Sequence, residues 1–110
     1  MSTPLLFAGA RGALRIVTTL QEFLLRGIPA VEALLASAPD DAGFAPTCAE
    51  LAALNDDFEE ATTPGGNPEW FAMSSLMQLA IAFGKEPTER RRELTVEALD
   101  KARECVRPET

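Results

Sequence analysis

Cys48, Cys105, Lys85 and Lys101 are the strongest nucleophiles this chain of 110 residues offers, and none has a base to activate it. The sequence contains no His and no Tyr. Neither a Ser-His nor a Cys-His pair can therefore be assembled, and the commonest general base near neutral pH is missing. Both lysines stand among other charges, where a solvated side chain is the ordinary outcome. Cys48 falls in the first turn of an expected helix, a place that can lower a thiol pKa, but no cation flanks it, so it reads as a structural thiol.

Metal and phosphate chemistry fare no better. Asp56 with Glu60, and Glu93 with Glu97, set carboxylates one helical turn apart, a pairing that hard cations accept. A helical di-iron site needs Glu-x-x-His motifs, which this chain cannot supply, and no calcium-loop pattern occurs. These acids read as solvated helix faces, and neither a metal nor a cofactor is expected. "GARG" lacks a Walker lysine and "PGGNP" has no strand before it, so both read as turns or helix edges. Arg90, Arg91 and Arg92 are flanked by Glu89 and Glu93 and read as a solvated helix start with intrahelical pairs. A second option lays one of these arginines against the acidic residues that follow Leu54.

The elements that position these residues are helices separated by Gly, Pro and Asp punctuation, with no strand alternation. The expected class is all-α, in one compact domain of four longer helices and one short one. Hydrophobic residues at 46% and charged ones at 25% suit an ordinary globular core. A first helix is expected over 5–26, with Leu14, Val17, Leu20 and Leu24 inward and Ile16 and Phe23 widening the stripe. Gly27 reads as its C-terminal cap and Pro29 as the first turn of a short second helix, 29–38, which makes a sharp corner at "RGIP". "PDDAGFAP" reads as a loop, and "TCAE" as a capping box of Thr47 with Glu50 opening a third helix over 48–61. That helix buries Leu51, Leu54 and Phe58 and gathers Asp56, Asp57, Glu59 and Glu60 outside.

Asn67 followed by Pro68 marks the start of a fourth helix, expected to stop at Gly84. Within "WFAMSSLMQLAIAFG", residues 70–84, only Ser74, Ser75 and Gln78 are polar. A helix that is apolar nearly all round is enclosed by its neighbours or covered by another chain. Residues 68–83 are therefore expected at the centre of the bundle or at an interface. Thr88 then caps a fifth helix running to about Val106.

Charge narrows the functional classes. The net charge is −7, and no Lys or Arg occurs between Gly27 and Gly84, where nine acids lie. An acidic chain of this kind is not expected to bind nucleic acid directly. No run is long enough for a membrane span, and no secretory signal is evident, so a cytoplasmic setting with reduced thiols is expected. The leading expectation is a small non-enzymatic protein that acts by protein–protein binding, as an adaptor, inhibitor or regulatory subunit. Asp56, Asp57, Glu59 and Glu60 would steer a basic partner, and Trp70 or Phe71 would anchor it. Self-association through the fourth helix is a simpler version of the same idea. Two rivals are a ligand-binding or enzymatic bundle with a pocket between the first and fourth helices, and an acidic mimic of nucleic acid that inhibits a DNA- or RNA-binding protein.

Overall fold

The computed structural model describes residues 12–106, with side chains from residue 20 onward. The described residues form four helices and no strand: α1 Gly12–Ala36, α2 Phe44–Ala61, α3 Pro68–Lys85 and α4 Glu89–Cys105. The all-α class stands as expected. The count differs because the helices expected at 5–26 and 29–38 are one. The expected start at residues 5–11, and the side chains of Leu14, Ile16 and Val17, lie outside the described residues.

The corner at Gly27–Pro29 is absent because the apolar stripe does not stop there. Leu20, Phe23, Leu24, Val31 and Leu34 are all buried, and they follow one helical face through the proline. Pro29 forfeits its hydrogen bond to Leu25 and crowds that carbonyl, at about 3 kcal/mol. Val31 and Leu34 continue the same buried face, each burial being worth about 1.5–3 kcal/mol, and the helix runs on through the proline. Gly27 is not a cap, since no glycine among the described residues has a positive φ. It is a point where the α3 side chains pack on the α1 backbone: a Cβ there would lie 2.9 Å from Met73 Cε and 3.2 Å from its Sδ.

Helix α2 begins at Phe44, three residues before the expected "TCAE" box. Phe44 is buried and meets Phe83 edge-on, with centroids 6.2 Å apart, which draws the first turn forward over residues expected to be loop. Pro46 falls in that first turn, where its missing N–H costs nothing. Thr47 is consequently inside the helix. Its hydroxyl donates to the Gly43 carbonyl at 2.8 Å, and Gly43 caps α2 without a side-chain bond.

The two remaining caps are those the sequence announces. The Asn67 Oδ1 accepts from the Glu69 and Trp70 amides at 2.7 and 3.4 Å, with Pro68 opening α3. Thr88 Oγ1 accepts from the Arg91 amide at 3.2 Å. Gly84, expected to end the fourth helix, lies inside α3, which continues to Lys85. A Cβ at Gly84 would stand 2.7 Å from Cys48 Sγ, so this glycine too is a contact rather than a stop.

Among the described residues α1 and α3 each pack on all three other helices, whereas α2 and α4 do not touch. Met73, Leu76, Met77 and Ala80 of α3 are fully enclosed at the middle. Thr95 of α4 is also fully buried, its hydroxyl 2.8 Å from the Arg91 carbonyl and 3.1 Å from that of Leu79. Helix α3 is thus covered on the sides turned to α1, α2 and α4.

Two substitutions test this account. Pro29→Ala is expected to raise stability by up to about 3 kcal/mol, measured by urea denaturation, because the proline sits in a helix interior. A loss of stability would instead indicate a corner. Gly84→Ala is expected to destabilise, since overpacking by about 1–3 kcal/mol exceeds the helix preference of alanine, about 1 kcal/mol. In a Cys48→Ala background the obstructing sulfur is gone, and the same substitution is expected to become stabilising.

Candidate functional site

The outer face of α2 carries the acidic residues singled out from the sequence, and all four, Asp56, Asp57, Glu59 and Glu60, are exposed. None of the ion pairs found among the described residues involves them. Helical geometry divides them. Cys48 faces Gly84 and so marks the flank of α2 turned to α3. Glu59, about three turns later, lies just outside that flank, with Asp56 next to it and Glu60 further round. Asp57 is on the far flank, towards α1. Glu59 thus lies on the flank beside α3, Asp56 and Glu60 point outward, and Asp57 lies apart.

No arginine of α4 reaches this patch, because α2 and α4 are not in contact. The arginine triplet serves helix ends instead. Arg91 donates to the Ala82 carbonyl at 2.9 Å and pairs with Glu86 at 3.1 Å, while Arg92 donates to the Leu35 carbonyl at 3.0 Å. Each thus satisfies a carbonyl in the last turn of another helix, where cations are favoured. Only Arg90, with Glu93 at 3.5 Å, makes the intrahelical pair expected of all three.

The two aromatic candidates separate as well. Trp70 is half-buried: it stacks on Phe58 at 5.8 Å, and its Nε1 donates to Thr62 Oγ1 at 3.0 Å. Thr62 in turn donates to the Phe58 carbonyl at 2.7 Å, so the indole is held at the end of α2. Phe58 meets Phe23 of α1 edge-on at 5.6 Å, and Trp70 meets Phe71 edge-on at 5.4 Å. A row of four rings therefore leads from the core to the surface, ending at Phe71, which is 54% exposed.

Phe71 opens a wet stripe along α3, continued by Ser75, Gln78 and Lys85, all exposed. This corrects the expectation of a rod covered on every side: the polar residues of the segment collect on one flank. Beside the stripe a groove of about 520 Å³ lies between α3 and α4, lined by Phe71, Ala72, Ser75, Ala98, Lys101 and Glu104 among others. It continues past Ser75, Ala98 and Lys101 into a space of about 160 Å³ bounded by Leu79, Leu94 and Glu97. A smaller groove, about 320 Å³, separates α1 from α4 at Leu25, Pro29 and Val106. At Gly27, where α1 meets α3, the helices are in van der Waals contact.

One buried polar cluster escaped the sequence reading. Glu69 is buried at the positive start of α3. Gln21 Nε2 donates to Glu69 Oε2 and lies 3.1 Å from the Cys105 carbonyl, tying α1, α3 and the end of α4 together. The only hint was the first-turn position of Glu69.

Among the described residues no group of His, Cys, Asp and Glu is placed to hold a metal ion, and no helix is long and apolar enough to cross a membrane. Comparison of the chain with protein-family models, with curated proteins and with solved structures gave no match.

Burial against α3 pushes the Cys48 thiol above its usual pKa, opposite to the lowering that a place at a helix start would bring. Because α2 begins at Phe44, Cys48 lies beyond the first turn. A raised folded-state pKa leaves less thiolate at pH 7–8. Iodoacetamide is therefore expected to label Cys48 more slowly in the folded than in the urea-unfolded protein, with the folded rate rising at higher pH. A Cys105→Ser variant isolates the signal.

Proposed function

We propose that this chain acts by binding another protein through a basic surface, as an adaptor, inhibitor or regulatory subunit, and that it performs no catalysis itself. The observation that carries the reading is the outer face of α2, where four exposed carboxylates have no ion-pair partner among the described residues. Along α4, by contrast, acids alternate with cations that pair with some of them: Arg103 meets Glu32 of α1 at 2.6 Å and Asp100 at 3.1 Å. Arg90 and Arg91 hold Glu93 and Glu86. An uncompensated acidic face costs a little stability through self-repulsion and attracts cations over about a Debye length. It speeds encounter with a basic surface and sets orientation, while apolar contact supplies residence time. Phe71 is the aromatic free to give that contact, since Trp70 is already engaged on both its ring face and its N–H.

The test uses a fluorescent oligolysine peptide and stopped-flow mixing. Replacing Asp56, Asp57, Glu59 and Glu60 together by Lys is expected to slow association about tenfold or more at low salt. The remaining rate should no longer fall as salt is added. Circular dichroism controls for folding. Unchanged association kinetics would refute steering by α2.

A further inference from the structure

We infer that the partner segment is a cationic amphipathic helix, which lies along the α3–α4 groove with its apolar side on Phe71 and its cations towards the carboxylates on either side. The inference rests on the protein-binding reading above and specifies its occupant. The groove runs from Phe71 past Ser75 and Ala98 to Leu79 and Leu94. From Pro68 to Leu79 this is about 16 Å at 1.5 Å per residue, the length of a three-turn helix.

Its composition matches the helix-in-groove mode, in which an apolar stripe at helical spacing enters a groove between two helices. The floor is small or apolar at Ala72, Ser75 and Ala98, which lets another helix approach closely, and Phe71 rises at one end as a large exposed ring. The walls carry charge. Glu97 and Glu104 line the α4 side, and Glu59 stands on the flank of α2 beside α3, with Asp56 next to it on the outward side, across the stripe of Phe71, Ser75 and Gln78. A helix bearing Lys or Arg on both edges of its apolar face meets carboxylates on both sides.

Lys101 is the exception on the groove wall, and it separates this occupant from a second copy of the chain. Across a two-fold axis through Ser75 and Ala98, Lys101 would face Glu97 of the other copy. Removing its charge would then weaken pairing. For a cationic helix Lys101 is a repulsive element, and reversing it strengthens binding.

The experiment measures fluorescence anisotropy with a labelled Leu/Lys peptide patterned as an amphipathic helix, against a scrambled peptide of identical composition. The patterned peptide is expected to bind about tenfold or more tightly than the scrambled one. Phe71→Ser should abolish that advantage, and Lys101→Glu should tighten binding of the patterned peptide about threefold or more. Thermal melts check that both variants fold, and both positions are exposed.

Equal binding of the two peptides, or a patterned-peptide affinity unmoved by Phe71→Ser, would overturn the groove. If that equal binding is lost on reversing the four acids of α2, the electrostatic reading survives without the groove. Conversely, pattern-dependent binding that Phe71→Ser abolishes, and that the α2 reversal leaves intact, supports the groove and refutes steering by α2. Weaker peptide binding by Lys101→Glu, or a dimer of the free chain in sedimentation that Lys101→Glu dissociates, would assign the groove to a second copy and overturn the proposal.

Discussion

The approach of α3 to its neighbours at two glycines is the constraint on which the rest of the architecture depends. At Gly27 the backbone of α1 lies against Met73 and Met77, and at Gly84 the backbone of α3 lies against Cys48. A Cβ at Gly84 would meet the Cys48 sulfur, and one at Gly27 would require the Met73 side chain to shift. Because the contacts are that close, the side chains between them, Leu76, Met77 and Ala80, are removed from water entirely. Both glycines lie inside helices, where they cost about 1 kcal/mol each relative to Ala, and the burial they permit outweighs this. Holding α3 down on one side leaves its opposite flank uncovered, and that flank carries Phe71 and the groove.

Much of the fold was legible where its cause is local. Asn67 with Pro68, and Thr88 before Glu89, signal helix starts because the capping oxygen and the amides it serves are neighbours in sequence. In α2, Leu51, Leu54 and Phe58 were legible from period alone. The failures share a physical origin. A glycine that ends a helix and a glycine that admits a neighbouring helix look identical in sequence, so Gly27 and Gly84 were both read as stops. Pro29 reinforced the first error, since its local cost is known whereas the gain from Val31 and Leu34 is tertiary. The false capping box at Thr47 failed for the same reason, because Phe44 finds Phe83 only in the folded chain.

Of the candidate surface, the exposed acids were legible because such groups have no reason to be buried. Their division between two flanks follows from helical geometry once Cys48 is seen to face α3. The contrast between Trp70 and Phe71 was not legible. Adjacent residues on a helix point about 100° apart, and which one meets Phe58 depends on how α2 and α3 are rotated. The same limit hid the roles of Arg91 and Arg92, whose acceptors are carbonyls of helices distant in sequence.

Those two arginines give the first turn of α4 a reach beyond its own helix. Side by side, they grip the tails of α1 and α3, Arg92 at the Leu35 carbonyl and Arg91 at the Ala82 carbonyl, which the Glu86 amide also serves. Fraying at the start of α4 therefore loosens three helices together. A small bundle whose α2 and α4 never meet is in this way clasped at both ends of α4, by these arginines at its start and by Gln21 and Glu69 at its close.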